Sequence, residues 1–361
     1  MSSADQATAA PLPPPGPRVD ATHVEFTLED PGRRLTAVRL WQEVGLPADH
    51  LAMHRQGRAW RLRVPRPPVV RMEYLFEISH ADGRRETVPD PGNPQRVATA
   101  FGAHSVLTFP GYAVPDWETT PAPAGQWEAT EITDASLDLP VRAHVWTSPG
   151  LAAGDDAPLL AVHDGPEYDR LADLSRYLAV SVHTGRAPAL RVALLDPGHR
   201  DEWYSANPRY AQALSGQVLP ALRNRWPTAC VIGMGTSLGA LSWLHAQRCD
   251  PDLADGLFLQ SGSFFLAATD PQEQWFPGFP AIVAAVLALH RADPPGRPVP
   301  TAMTCGCVEE NLENNRRVAR SLAEQGYPVT LTEVPDAHNY TAWRDAFAPH
   351  LADLITRVAR T

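Results

Sequence analysis

The sequence predicts an α/β domain with a mainly parallel sheet, preceded by a small all-β sandwich. Residues 23 to about 110 alternate apolar and polar side chains with period two, which is typical of strands. From about residue 128, short apolar runs alternate with helical stretches, as in a sheet whose strands are joined by helices. A Gly-x-Ser-x-Gly motif, Gly235 to Gly239, lies where one of these apolar runs becomes a helix.

Length and charge limit the classes of partner. A chain of 361 residues is long enough for two domains. Its net charge of −10 argues against nucleic acid and anionic membrane surfaces. No stretch approaches the roughly 20 apolar residues of a membrane span. Residues 1–19 contain the proline-rich "PLPPPGPR", which predicts a disordered tail without the features of a secretion signal, so we expect a cytoplasmic protein.

The first folded domain is expected over residues 20–112. The segments "HVEFTL", "WRLRV" and "MEYLFEI" each place apolar side chains on one face, and "HADGRR" and "PDPGNP" between segments are turn signals. This pattern predicts an antiparallel sandwich, whose exposed edges are compatible with a homodimer. Residues 113–127 are rich in Pro, Thr and Gly and are predicted to be a linker, followed by the α/β domain over 128–361.

The cysteines give no sign of a metal site. The chain has four, and reduced thiols are the default in a cytosolic protein. Cys305 and Cys307 form a C-x-C pair, which lacks the usual zinc-ligand spacing and has no second pair to accompany it. We therefore predict neither a metal nor a cofactor.

The glycine-rich motif predicts a nucleophile elbow at Ser237. "CVIGM" before it is typical of a buried strand and "ALSWLHAQR" after it of a helix. In such a tight turn the serine Oγ projects at the end of the sheet, and the following Leu238 N–H, at a helix N-terminus, is able to face an oxyanion. The alternative is that Ser237 only caps the helix, but a cap does not require glycine on both sides.

A serine nucleophile needs a base, which in this fold comes late in the chain. His338 follows the apolar run "VTLTEV" and precedes the last helical segment, which is the loop position of a triad histidine. His290 and His350 lie in helical stretches and are better interpreted as packed or solvated.

The acid that orients the base is expected after the run "TAMTC". Glu309 and Glu310 follow that run, and either one also suits the N-terminal turn of a helix. Asp336 ranks third, because a side chain two residues before His338 rarely reaches its Nδ1. On the residues alone, the choice between the two glutamates stays open.

Several stretches resemble the esterase family of α/β hydrolases, in particular its enterochelin (iron-siderophore) esterase branch. They are "VHDGPEYDR", "RDEWYSANPRY", "GTSLGALSWLH", "LQSGSFF", "CGCVEENLENNRRVARSLAEQGY" and "DAHNYTAWRDAFAPHLADL". The resemblance implies an α/β-hydrolase domain behind an immunoglobulin-like N-terminal domain. It also implies a triad of Ser237, His338 and an acid which, counted from Gly306 in the family's Gly-x-x-Asp/Glu pattern, falls on Glu309.

The same resemblance implies further site residues. In the family the residue after the "HDG" loop helps to form the oxyanion hole, but here it is Pro166, which has no N–H. Gly165 N–H or Glu167 N–H is then the second donor beside Leu238. The resemblance also brings Asp164, Arg200 and Glu202 to the substrate, although Arg200 and Glu202 equally suit a solvated ion pair.

Aromatic residues after the serine motif leave two interpretations open. Phe264, Trp275 and Phe276 suit either a wall against the acyl or aryl part of a substrate or ordinary core packing. The predicted function is a serine carboxylic-ester hydrolase acting on a small-molecule ester, with an iron-siderophore ester such as enterochelin as one candidate. The alternatives are acyl transfer to a sugar or alcohol, and a non-catalytic protein that binds a glycan or a partner.

Overall fold

The computed structural model describes residues 16–294 and 296–360. The chain separates into two compact units, Met1–Pro110 and Gly111–Thr361. Most of the predicted disordered tail, residues 1–15, lies outside the described residues. Within that predicted tail, Arg18–Val19 form a short strand, because their backbone pairs with Val24 and Glu25 of the next strand.

The N-terminal unit consists of two antiparallel sheets. Its strands are β1 (Arg18–Val19), β2 (His23–Glu29), β3 (Leu35–Gln42), β4 (His54–Gln56), β5 (Ala59–Pro65), β6 (Arg71–His80), β7 (Arg85–Val88), β8 (Arg96–Thr99) and β9 (Gly102–Thr108). One sheet has the order β1-β2-β5-β4, and the other has β3-β6-β9-β8 with β7 paired to β6. Buried Phe26 and Tyr74 face each other from the two sheets with ring centroids 4.9 Å apart. Period-two patterning therefore produces strands with one apolar face, and those faces form the core of this unit.

The C-terminal unit is built on a mixed sheet. Its strands are β10 (Gln126–Ile132), β11 (Val141–Thr147), β12 (Ala157–Val162), β13 (Arg191–Leu195), β14 (Thr228–Thr236), β15 (Gly256–Gln260), β16 (Thr301–Gly306) and β17 (Val329–Val334). The order is β10-β11-β13-β12-β14-β15-β16-β17. β10, β11 and β13 pair antiparallel, and the pairs from β13 to β17 are parallel. The predicted α/β fold with a mainly parallel sheet is confirmed.

Helices cover both faces of this sheet. They are α1 (Gly165–Ala172), α2 (Leu174–His183), α3 (Arg200–Trp203), α4 (Pro208–Ala213), α5 (Leu219–Arg225), α6 (Leu238–Cys249), α7 (Phe279–His290), α8 (Leu312–Glu324), α9 (Tyr340–Asp345) and α10 (His350–Val358). Leu159 and Ala161 of β12 enter one hydrophobic core, and the alternate Leu160 and Val162 enter the other. Both faces of the central strands are covered, and this is why their sequences are continuous apolar runs.

The hairpin β10–β11 extends the sheet beyond what the sequence predicted. Its first strand begins at Gln126, inside the predicted linker of residues 113–127. Most of β10 is solvent-exposed, so it lacks the apolar run that marks the central strands. The same predicted linker contains Trp117, which is buried against Tyr177 and Phe347.

Within residues 16–294 and 296–360, no helix has both the length and the apolar character needed to cross a membrane. In the same ranges, no three His, Cys, Asp or Glu side chains are grouped so that they could hold a metal ion. All four cysteines are free thiols.

Candidate active site

Ser237 occupies a strained turn between β14 and α6. Its backbone has φ 54° and ψ −124°, in a region that residues with a side chain rarely adopt. Two flanking glycines make the turn possible: a Cβ on Gly235 would lie 2.5 Å from the Gly239 carbonyl carbon. The Ser237 N–H donates to the Gln260 carbonyl of β15 at 3.0 Å, which fixes the turn to the neighbouring strand.

Glu309 and His338 form a hydrogen-bonded pair at the ends of β16 and β17. The Nδ1 of His338 lies 2.8 Å from Glu309 Oε2. Glu309 Oε1 accepts from Ser261 Oγ and from Gly306 N–H, each at 2.7 Å. The Glu309 side chain is 2% exposed, whereas that of His338 is 33% exposed. The carboxylate is therefore held from inside the protein while the imidazole reaches towards solvent.

Electrostatics keep this buried carboxylate ionised. Burial by itself acts to raise the pKa of Glu309, because it penalises the charged form. The facing His338 and the donors on Ser261 and Gly306 outweigh that effect and hold the pKa below its ordinary value. An ionised Glu309 is suited to accept a proton-bearing Nδ1, which leaves Nε2 as the basic nitrogen.

The other two acids considered from the sequence have different surroundings. Glu310 is exposed, and its carboxylate accepts a hydrogen bond from Gln272 at 3.2 Å. Asp336 is buried and accepts from the Asn339 side-chain amide at 3.3 Å. The sequence left open whether Glu309 or Glu310 orients the histidine. The structure places Glu309 within hydrogen-bonding distance of His338.

A Ser-Gly-Ser segment, residues 261–263, touches both the nucleophile candidate and the acid candidate. Ser261 Oγ donates to Glu309, and Ser263 Oγ lies 3.0 Å from Ser237 Oγ. The stretch "LQSGSFF" resembles the esterase family, but nothing in its sequence predicts a role for either serine. Serine is a common residue type, so only their proximity to Ser237 and Glu309 distinguishes these two.

His163 is a third residue for which the sequence predicted no role. Its ring is fully buried and stacks on Tyr204 and Trp243, with centroids 4.4 and 4.9 Å away. Nδ1 lies 3.0 Å from the Gly239 carbonyl, and Nε2 lies 3.0 Å from the Tyr210 hydroxyl. Burial lowers the pKa of His163 to about 3, so the ring is neutral at physiological pH. This ring joins the end of β12 to the first turn of α6.

Two helix N-termini carry the predicted oxyanion donors. Gly165 begins α1 and Leu238 begins α6, and N–H groups in a first turn have no acceptor within their helix. A Cβ on Gly165 would lie 2.3 Å from Leu194 Cα, so α1 packs against β13 at a distance that only glycine permits. Pro166 has no N–H, so it supplies no donor to an oxyanion.

Asp164 and Arg200 form a bidentate ion pair beside this helix start. Arg200 Nε and Nη2 each donate to an Asp164 oxygen at 2.8 Å. The Asp164 side chain is 3% exposed and that of Arg200 is 34% exposed. Burial acts to lower the pKa of Arg200, but the Asp164 carboxylate raises it above its ordinary value. Glu202, by contrast, is exposed and pairs with Arg209 at 3.2 Å, which is the solvated ion pair weighed for it from the sequence.

The aromatic residues are placed in different environments. Phe264 is fully buried in one hydrophobic core of the C-terminal unit. Phe276 is also buried there, whereas Trp275 is 77% exposed and meets Phe276 edge to face with centroids 6.2 Å apart. Of the three aromatic residues, Trp275 therefore offers by far the most accessible surface.

The fold that carries this candidate site is similar to that of solved esterases. No family model matches the chain, and no curated protein matches it. Among solved structures, it is similar to the ferric enterobactin esterase of Salmonella typhimurium at 20% identity and a TM-score of 0.76, covering 94% of this chain and 95% of that one. The enterochelin esterase of Shigella flexneri matches at 19% identity and a TM-score of 0.74, with 95% and 96% covered.

A ferulic acid esterase matches less of the chain. It has 14% identity and a TM-score of 0.54, and the match covers 65% of this chain and 99% of that one. Identities this low establish likeness of fold. The resemblance to enterochelin esterases that the motifs indicated is confirmed at that level over almost the whole chain.

Proposed function

We propose that the protein is a serine ester hydrolase in which Ser237 is the nucleophile, His338 the base and Glu309 the orienting acid. The observation that carries the proposal is the 2.8 Å contact between Glu309 and His338, which follow β16 and β17 of the sheet whose strand β14 ends at a serine with positive φ. These three groups lie at the carboxyl ends of parallel strands, where α/β sheets hold their sites.

In the proposed acylation, His338 Nε2 takes the Ser237 proton as Oγ attacks the ester carbonyl. Glu309 fixes the imidazole tautomer and stabilises the imidazolium that forms. The tetrahedral intermediate collapses as His338 protonates the leaving alkoxide. Water, deprotonated by the same histidine, then attacks the acyl-enzyme and releases the acid.

Leu238 N–H and Gly165 N–H are the proposed oxyanion donors. Both begin helices, so both are unpaired within their helix and lie at its positive end. Gly165 N–H is the first amide of α1, and Glu167 N–H is the alternative second donor.

The proposed substrate class is an iron-siderophore ester of the enterochelin type. This proposal is supported by the share of the chain that each solved structure matches. The enterobactin esterases match about 95% of the chain, including the N-terminal unit, whereas the ferulic acid esterase matches 65%. In this proposal the N-terminal unit is an immunoglobulin-like domain, Asp164 and Arg200 border the substrate, and Trp275 offers it an aromatic surface.

The test compares wild type with Ser237→Ala on p-nitrophenyl esters and on enterobactin, with and without iron. We expect Ser237→Ala to lower kcat by roughly 10⁴-fold or more on every hydrolysed ester. It should also abolish labelling by a fluorophosphonate. Ser242→Ala, which removes a buried serine hydroxyl from α6, is the matched control and should retain activity.

Retention of wild-type turnover by Ser237→Ala would overturn the mechanism. Hydrolysis of p-nitrophenyl esters without hydrolysis of enterobactin would overturn only the substrate class. Adding simple alcohols or trehalose and looking for acylated products distinguishes hydrolysis from acyl transfer.

A further inference from the structure

The Ser-Gly-Ser segment 261–263 brings a second hydroxyl to the nucleophile. Ser263 is 2% exposed, and its Oγ lies 3.0 Å from Ser237 Oγ. Its backbone N–H also donates to the Ser237 carbonyl at 3.1 Å. Two contacts therefore hold Ser263 against the same residue, one to the backbone and one to the reacting oxygen.

The segment is held rigidly by its other neighbours. Asn315, fully buried on α8, donates to the Gly262 carbonyl and accepts from the Gly262 N–H, both at 3.0 Å. Ser261 has φ 48°, and its hydroxyl accepts from Trp343 Nε1–H at 2.9 Å while donating to Glu309. A hydroxyl carried by so constrained a backbone is pre-organised, which is what electrostatic stabilisation of a transition state requires.

The direction of the Ser263 hydrogen bond follows from the proposed function, on which this inference rests. If Ser237 donates its proton towards His338, Ser237 Oγ can only accept a hydrogen bond from Ser263. Ser263 must then be the donor. We propose that Ser263 donates its O–H to Ser237 Oγ and stabilises that oxygen when it carries negative charge.

The effect is greatest when the acyl-enzyme breaks down. In that intermediate Ser237 Oγ is an ester oxygen, which is a weak acceptor. As the bond from the acyl carbon to Oγ breaks, the electron pair passes to Oγ, which then takes a proton from His338. Ser263 keeps its own proton throughout. Because its hydrogen bond is stronger in the transition state than in the ester, it lowers the barrier to deacylation.

The experiment is burst kinetics with p-nitrophenyl acetate on the full chain, comparing wild type, Ser263→Ala, Ser263→Thr and the control Ser242→Ala. The good leaving group makes acylation fast, so steady-state turnover reports deacylation. We expect Ser263→Ala to keep a burst of one p-nitrophenol per chain while its steady-state kcat falls roughly tenfold. The apparent KM should fall with kcat, since slower deacylation accumulates acyl-enzyme. Ser263→Thr, which keeps the hydroxyl, should restore part of kcat.

A purely structural role for Ser263 would lower burst amplitude or the unfolding midpoint, not the deacylation constant alone. The inference is overturned if Ser263→Ala deacylates as fast as wild type or faster, because Ser263 would then accept the Ser237 proton or do nothing. It is also overturned if Ser242→Ala slows deacylation equally. Absence of both the burst and fluorophosphonate labelling in wild type would instead count against the proposed function.

Discussion

At the scale of single residues, the site combines backbone strain with a buried charge. Asp164, Ser237 and Ser261 follow β12, β14 and β15, and each has positive φ without being glycine. These three strands are neighbours in the sheet, so the strained residues converge on one region of its carboxyl edge. Such conformations cost on the order of 1–3 kcal/mol each and persist where the surroundings enforce them, as at functional sites.

A residue-scale prediction separates the two adjacent glutamates. Glu309→Gln should lower kcat on p-nitrophenyl esters on the order of 10³-fold, because the amide no longer stabilises an imidazolium at His338. Glu310→Gln is the matched control and should leave kcat unchanged, since its carboxylate is exposed and bonds to Gln272. Equal losses in the two variants, measured at saturating substrate, would contradict the assignment of Glu309.

At the scale of elements, the site depends on how closely helices approach the sheet. α1 begins against β13 at a separation that only Gly165 allows, and His163 links the end of β12 to the first turn of α6 through Gly239. The two proposed oxyanion donors are on α1 and α6. Their spacing thus depends on helix packing, in which Gly165 itself takes part, and on one buried imidazole.

The element-scale prediction concerns Gly165→Ala. The added methyl meets the Leu194 backbone, which cannot yield, so the start of α1 must shift. We expect kcat to fall roughly 10²-fold through loss of one donor, and the free energy of unfolding to fall by about 1–3 kcal/mol. Gly216→Ala is the control, because a Cβ there meets nothing within 4 Å. A Gly165→Ala protein with wild-type kcat would exclude this amide as a donor.

At the scale of the whole molecule, buried ionisable groups make stability depend on pH. Asp30 and Glu73 in the N-terminal unit and Glu309 in the C-terminal unit have pKa values below their ordinary range. In all three, burial acts in the opposite direction and is outweighed by hydrogen-bond donors or by positive charge. Each such carboxylate contributes stability above its unfolded pKa, and that stability is lost as pH falls through the folded pKa.

The whole-molecule prediction uses His163. Burial lowers its folded pKa to about 3, so between that value and an unfolded pKa of about 6.5 only the unfolded state binds the proton. Stability therefore falls as pH falls, and at pH 5 this histidine alone should account for a loss of roughly 2 kcal/mol. His163→Gln should flatten that part of the profile in denaturant titrations monitored by circular dichroism from pH 4 to 8. The exposed His54→Gln is the control, and an unchanged slope in His163→Gln would show that His163 is protonated in the folded state.

Much of this architecture was predictable because it depends on periodicity along the chain. The central strands are buried on both faces, so each produces an apolar run, and Ser237 follows such a run directly. His338 comes four residues after the edge strand β17, whose apolar and polar residues alternate. The hairpin β10–β11 was missed because an edge strand exposed to solvent has no such run. Its pairing is decided by contacts with β13, far along the chain.

The sequence by itself determined the order of the candidate site residues along the chain: a serine between two glycines, then an acid, then a histidine, each after a strand. Only the tertiary structure decided which residues of common types surround these candidate site residues. Ser261, Ser263, His163 and Asn315 belong to common residue types, and nothing in their local sequence distinguishes them from capping or core residues. Their roles come from distances of about 3 Å between strands and helices remote in sequence, and such distances exist only once the chain is packed.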